Sequence, residues 1–414
     1  VSTQHDIVII GAGIIGLTIA DYLQRGGRQV TLIDRKGIAN EASFGNAGAL
    51  AFADILPLAS SGMIRKAPKW LFDPLGPLSI RPSYLPTILP WLVRFWRASW
   101  AGQYQSSTIA QQSLMTLAES ELDIACQTPV IADRVRHDGS LQLYENLGAL
   151  DASLPTWAFK QQYGVEVKHL RGDEINEYQP GLSKKIVAAT FIPGWKSVDD
   201  PHQIATLYWD RVQGRGGALM DKEVRDINPC SDGAELTFLD GSKQTAATVI
   251  VAAGAWSHHL ARQLGDKIPL ETERGYNTTL PTGAFDLKRQ LTFGDHGFVI
   301  TPLSTGIRIG GAVEFAGLEA EPNYKRSKIM LEKAKRFLPD LNTSGGTQWM
   351  GFRPSLPDSL PVISRTKNAN RVFYAFGHGH LGLTQALATA RLMSELVLNK
   401  PTAIDITPFR ADRF

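Results

Sequence analysis

The sequence predicts an α/β protein in which a Rossmann-like dinucleotide-binding unit is interleaved with an α+β unit built on a large antiparallel sheet. Three observations carry this. Asp6–Ile10 is an apolar, β-branched run that leads straight into Gly11-Ala12-Gly13-Ile14-Ile15-Gly16 and a helix-forming stretch to Arg25. The strand, glycine loop and helix return near the other end, as Val372–Phe376 followed by Gly377-His378-Gly379-His380-Leu381-Gly382-Leu383-Thr384. Between them, residues 268–315 alternate strand-like runs with turns, the pattern of an antiparallel sheet.

At 414 residues the chain is too long for one simple core. We divide it into a dinucleotide unit of 1–50, 199–260 and 345–414 and a substrate unit of 51–198 and 261–344. A hydrophobic fraction of 43% with 20% charged residues is ordinary for a globular protein. The net charge of +3, with no Lys/Arg-rich run and no zinc-finger spacing, argues against a nucleic-acid partner. Cys126 and Cys230, in no metal-ligand pattern, are expected to be buried thiols in a reducing compartment. The first strand begins too early to leave room for a signal peptide, so a cytoplasmic protein is expected.

In chain order, the first strand and Gly11-x-Gly13-x-x-Gly16 set a tight turn at a helix N-terminus, where free N–H groups suit a pyrophosphate. A second strand, Gln29–Ile33, ends at Asp34, about twenty residues on, where a ribose hydroxyl needs an acceptor. Ser43, Gly45, Asn46, Ala47 and Gly48 are small enough for backbone to approach a flat ligand; a flexible turn is the alternative. From 52 to 100 the chain is broken by Pro57, Pro68, Pro74, Pro77, Pro82, Pro86 and Pro90 and punctuated by Trp70, Trp91, Trp96 and Trp100. Tyr84–Trp96 is apolar but too short and interrupted to span a bilayer. It reads as a buried helix of the substrate unit, or as an amphipathic surface that touches a membrane with Arg94 and Arg97.

Residues 107–125 read as an amphipathic helix and Gly139–Tyr144 as a strand. Asp200-Pro201 marks a helix start, with an acidic N-cap and proline at the first position. A strand near 218–222 and a hairpin through Asp232-Gly233 and Asp240-Gly241 follow. Ala247–Val251 then reads as a buried strand ending in Ala252-Ala253-Gly254-Ala255-Trp256. A helix is expected over Lys325–Phe337. Arg353, between Gly351 and Pro354, is expected on a stiff turn, as a carboxylate clamp would be; a surface arginine is the alternative. His378 and His380 lack further ligands of plausible spacing, so no metal is expected.

Taken together, Gly11-x-Gly13-x-x-Gly16 with Asp34, Ser43-Phe44-Gly45-Asn46-Ala47-Gly48, Val251–Ser257, Gly351-Phe352-Arg353-Pro354 with Pro357-Asp358, and Gly377–Thr384 resemble the flavin-dependent D-amino-acid dehydrogenase and oxidase superfamily, which includes glycine oxidase and sarcosine oxidase. Lys69-Trp70 and Arg308-Ile309-Gly310-Gly311 make the bacterial D-amino-acid dehydrogenase branch the nearest match. The resemblance implies FAD. It implies Gly11, Gly13, Ile14, Ile15 and Gly16 at the pyrophosphate, Asp34 and Arg35 at the adenosine ribose, and Val224 at the adenine. Glutamate is more usual where Asp34 stands, which shortens the reach by one methylene. Ser43, Asn46, Ala47 and Gly48, with Ala253, Gly254 and Trp256, are implied around the pyrophosphate and flavin. Gly379, His380, Leu381, Gly382, Leu383 and Thr384 are implied on the flavin O2 side, where helix N–H groups favour the reduced state.

By the same resemblance Arg353 grips a substrate carboxylate and also borders the flavin, with Arg274 a second contact and Tyr276 beside it. Related oxidases place a tyrosine near Phe298; its absence leaves Tyr276 or His296 as the hydroxyl or polar contact. The expected reaction is oxidative deamination of a D-amino acid, including cyclic ones such as D-proline or hydroxy-D-proline. Hydride leaves the α-carbon for flavin N5, giving an imine that hydrolyses or persists if cyclic. The expected acceptor is a quinone or other electron-transfer partner, reached on the inner face of the cell membrane. An oxygen-using glycine or sarcosine-type oxidase is the alternative, and a non-catalytic flavoprotein is disfavoured because a carrier needs no carboxylate clamp.

Overall fold

A computed structural model describes residues 5–60, 62, 76 and 78–414; Pro68, Lys69, Trp70, Pro74 and Pro77 lie outside the described residues. Two large sheets organise the rest. In the eight-stranded sheet, Ala218–Asp221, Val30–Asp34, His5–Ile10 and Lys243–Val251 run parallel in that order. Val372–Phe376 adds in parallel to the C-terminal half of Lys243–Val251, while the hairpin Val224–Cys230/Gly233–Phe238 pairs with its N-terminal half. Val372–Phe376 is buried along its whole length, as β-branched and aromatic strands covered on both faces should be. Both glycine loops therefore emerge at the carboxyl edge of parallel strands that flank Lys243–Val251 on its two sides.

Helices Ile14–Arg25, Pro201–Gly214 and Gly382–Val397 cover one face of this sheet in a continuous apolar core. Asp200 caps the second of them, its carboxylate accepting from His202 N at 2.8 Å and Gln203 N at 3.2 Å. Helix Ala101–Ala125, assigned from the sequence to the substrate unit, joins the same core through Leu114, Ala118 and Leu122.

The nine-stranded sheet has Thr347–Ser355 at one edge, then Glu271–Leu280, Gly306–Phe315, Phe298–Leu303 and Gln290–Phe293, continuing into Ser140–Tyr144, Ala188–Ile192 and Lys168–Arg171. Thr347–Ser355 pairs antiparallel with Glu271–Leu280 over nine residue pairs, Glu271 opposite Ser355 through Thr279 opposite Thr347. Residues 347–355, expected in the dinucleotide unit, thus pair into the nine-stranded sheet. Arg353 stands in a strand rather than on a turn. Pro354, which has no N–H to give to a ladder, is accommodated because this strand is the edge. Helix Lys325–Phe337 packs on one face of the sheet, with Phe337, Phe298 and Ile300 in the core. The other face turns toward the glycine loops.

Leu85–Ala98 is a helix that is half-buried rather than buried. Ile88 and Trp91 pack against Phe315, whereas Leu85, Leu89, Val93 and Trp96 point outward beside exposed Arg94 and Arg97. Among the described residues no helix is long and apolar enough to cross a bilayer. The two cysteines are free, but Cys230 is exposed and Cys126 only half-buried, because strand Val224–Cys230 ends at the surface.

Candidate active site

A cavity of about 360 Å³ runs along the carboxyl edge of the parallel sheet, from the end of Val30–Asp34 to the loop before Gly382–Val397. Gly11 opens it. Its φ of +110° and the carbonyl of Ala252, only 2.3 Å from where a Cβ would stand, admit no side chain. Gly16 has a different role from the one the sequence suggested: a Cβ there would meet Gly11 O at 2.0 Å, so this glycine seats the helix on the turn. Gly13, Ile14 and Ile15 line the cavity at the helix N-terminus. The Ile14 N–H is held by Ser43 Oγ at 3.0 Å, which brings the 43–48 loop over this end.

Asp34 lines the same cavity and accepts from Ala12 N and Lys36 N, each at 2.8 Å. Burial raises its carboxyl above the ordinary range, while those two N–H groups oppose the rise. Arg35 lies over the Trp256 ring at 4.0 Å and pairs with Glu41 and Glu223. Arg35, Trp256 and Val224 thus wall a flat compartment beyond Asp34. Glu41, Glu223 and Phe352 also line the cavity, and sequence reasoning missed them. Phe352 sits edge-on to Trp256 at 5.4 Å; its place beside Arg353 was the only available signal. Asn46, Ala253, Gly254, Gly379, Gly382 and Leu383 complete the lining of the cavity's other end.

Other expected cofactor residues stand behind the lining. Gly48, with φ of +76°, lies against Leu303 and Val198. Thr384 Oγ1 accepts from Ala51 N at 3.0 Å, tying the last helix to the segment after Ala47 and Gly48. Leu381 packs with Ala51, Ile55 and Met115. His380 faces Asp54 at 3.7 Å, and Asp54 also pairs with Lys160 at 3.2 Å. His378, in contrast, does line the cavity; it is nevertheless buried, bonds Thr389 Oγ1 at 2.9 Å, and burial pushes its pKa down to about 3.

The flavin-binding fold requires a tight turn, a helix N-terminus, an acceptor at Asp34 and small residues along the edge, and this cavity has each. The residues therefore fit FAD.

The substrate sheet presents Arg353, Gly351 and Trp349 on the face turned toward the 43–48 loop, opposite Glu273, Gly275 and Asn277. Asn277 Nδ2 donates to Gly45 O at 2.9 Å, and Arg308 donates to the carbonyls of Phe44 and Asn46, so the sheet grips that loop directly. The Arg353 guanidinium lies on Gly275, where a Cβ would come within 2.4 Å of Nη2. Nη1 donates to Ala312 O at 3.3 Å. Desolvation lowers the Arg353 pKa and the neighbouring Glu273 opposes that shift. Arg353 nevertheless keeps part of its surface accessible.

The other three expected catalytic residues are not brought to this face. Arg274 is fully buried, with Nε on Gly317 O at 2.8 Å and Nη1 on Glu321 O at 3.4 Å. Tyr276 is in the core, its hydroxyl donating to Glu314 and accepting from Asn323 N at 3.0 Å. His296 pairs with Glu145 at 2.5 Å and packs on Phe337, on the side of helix Lys325–Phe337. For Arg274 and Tyr276 the reason is the pleat, since they alternate along their strand with Glu273, Gly275 and Asn277; His296 lies in the turn Gly294–His296.

Comparison with known proteins agrees with this geometry. A family model described as FAD dependent oxidoreductase matches residues 6–396. A D-amino-acid oxidase of Bradyrhizobium diazoefficiens is 31% identical over 99% of this chain and 98% of its own length. A D-amino acid dehydrogenase of Neisseria meningitidis serogroup C is 30% identical over 96% of this chain and 97% of its own. Among solved structures, glycine oxidase from Bacillus cereus superposes with a TM-score of 0.75 at 20% identity, covering 99% of each chain. L-proline dehydrogenase from P. horikoshii does so with 0.74 at 19% identity, covering 100% of this chain and 98% of that one. At such identities the structural likeness is one of fold.

Proposed function

The chain belongs to the FAD-dependent oxidoreductase family, and from that premise we propose that it oxidatively deaminates a D-amino acid and passes the electrons to an acceptor other than oxygen. The observation that carries the reading is Arg353, a desolvated guanidinium with open surface on the sheet face turned toward the cofactor loops. A desolvated guanidinium that makes no ion pair among the described residues is matched by a substrate carboxylate. The names of the relatives support a D-amino acid. Bound FAD supplies the two-electron acceptor for hydride leaving the α-carbon.

The chain's own residues hold the pieces in line. Gly11, Gly13, Ile14 and Ile15 with Asp34 hold the dinucleotide. Residues 43–48 and 379–383 border the flavin, and Arg353 orients the carboxylate so that the α-C–H faces it. Orientation of the two reacting atoms is most of what such a site must supply. In this division, 1–50, 199–260 and 356–414 hold FAD, while 51–198 and 261–355 wall the substrate. The imine product hydrolyses in water, or persists if the substrate is cyclic, as D-proline would be.

Arg353→Ala should lower kcat/KM for the amino acid by about a hundredfold or more, the scale of a broken buried charge pair. Undiminished turnover would remove the clamp. An anaerobic screen of D- and L-amino acids, followed by flavin bleaching, tests the substrate class; bleaching by L-enantiomers alone would overturn it. The outward stripe Leu85, Leu89, Val93 and Trp96 with Arg94 and Arg97 favours an acceptor held in a membrane, such as a quinone. Quinone reduction in anionic vesicles should then outpace oxygen uptake; the reverse would favour an oxidase.

A further inference from the structure

Two buried polar groups beside Arg353 are left without partners by the contacts described above. Glu273 stands directly across the strand pair from Arg353 and is 6% exposed. Among the described residues its carboxylate makes no hydrogen bond and no ion pair, because the guanidinium leans the other way, onto Gly275. Ser355, two residues beyond Arg353 on the same face, is also buried, and its hydroxyl has no partner among the described residues. Both groups line one small cavity, closed by Trp91, Phe95 and the backbone at Gly379. Trp91 and Phe95 stack on each other at 5.1 Å, and the Trp91 indole N–H is also buried without a partner among the described residues.

A carboxylate, an acceptor hydroxyl and aromatic rings are the chemistry of a cationic nitrogen site. Leaving a carboxylate buried and unpaired costs several kcal/mol unless a ligand supplies its counter-charge. A zwitterionic amino acid carries that counter-charge next to the carboxylate that Arg353 would take. We propose that Glu273 and Ser355 form the amine subsite of the substrate pocket, so that Arg353 and Glu273 read the two poles of the amino acid from opposed positions on one sheet face. This rests on the carboxylate-clamp reading of Arg353. Glu273 holds the amino nitrogen as ammonium on arrival; once that proton has passed to solvent water, Glu273 accepts a hydrogen bond from the neutral amine, whose lone pair stays free.

The test is calorimetric titration of the FAD-loaded enzyme with a matched pair of ligands. One is 2-aminoisobutyrate, which has no α-hydrogen and cannot be oxidised; the other is pivalate, in which a methyl replaces the ammonium. The wild type should bind 2-aminoisobutyrate about tenfold or more tightly than pivalate. Glu273→Gln should erase that preference and leave pivalate affinity within about twofold of wild type. A wild type without preference, an unchanged preference in Glu273→Gln, or equal loss of both ligands would overturn the amine subsite. Arg353→Ala should weaken both ligands; unaltered pivalate binding there would overturn the clamp instead. Should Glu273→Gln fail to accumulate as FAD-loaded protein, Ser355→Ala carries the test through the same selective loss for the amino acid.

Discussion

Arg353 occupies its position because residue 275 has no side chain. A Cβ at Gly275 would come within 2.4 Å of Arg353 Nη2, so Gly275→Ala should push the guanidinium off the sheet face. The expected result is a KM for the amino acid raised about tenfold, roughly 1.4 kcal/mol, with FAD content unchanged. Steady-state kinetics beside a flavin spectrum checks it, and an unaltered KM would show that Arg353 relaxes without cost. His378 makes a different prediction. Burial depresses its pKa to about 3, so between 6.5 and 3 the unfolded chain binds a proton that the folded chain refuses. Its contribution to stability is therefore present above 6.5 and lost as pH falls toward 3, by up to about 1.4 kcal/mol per pH unit. Urea midpoints from pH 7 to 4 should fall less steeply in His378→Gln than in wild type. Arg353 could be picked out from the sequence because Gly351 and Pro354 flank it. Arg274 and Tyr276 drew attention through the family resemblance, and the alternation of their strand sends both to the face opposite Glu273 and Gly275.

At the scale of elements, strong local chemistry was readable and partial burial was not. Asp200-Pro201 announced its helix, and the carboxylate caps two N–H groups as expected. Asp200→Ala should cost about 1 kcal/mol, seen as a lower melting temperature with the amino-acid KM little changed. A large KM effect would mean that the helix positions the site directly. Lys325–Phe337 forms as its periodicity suggested. Leu85–Ala98 shows the limit. Apart from Thr87, Arg94 and Arg97 its residues are apolar, so sequence could not say that Ile88 and Trp91 find Phe315 while Leu89 and Trp96 stay exposed. Likewise Pro354 reads as a turn signal until the edge position of Thr347–Ser355 is known.

At the scale of the molecule, segments far apart in the chain meet at one cavity: Gly11, Gly13, Ile14 and Ile15 line it together with Gly379, Gly382 and Leu383. FAD bound there should stabilise the whole fold, by about 2.7 kcal/mol when free FAD is a hundredfold above Kd. Stripping FAD should lower the melting temperature and expose residues 11–16 and 377–384 to hydrogen exchange together. Exposure of one loop alone would mean that the cofactor does not couple the two ends. By itself the sequence determined the dinucleotide unit, since tight turns, buried parallel strands and helix starts depend on residues close together in the chain. The tertiary structure alone decided that Thr347–Ser355 leaves that unit for the substrate sheet, that Gly275 makes room for Arg353, and that Glu273 stands beside it. Those relations are set by strand register between segments some eighty residues apart, and register follows from burial of whole faces rather than from any local pattern.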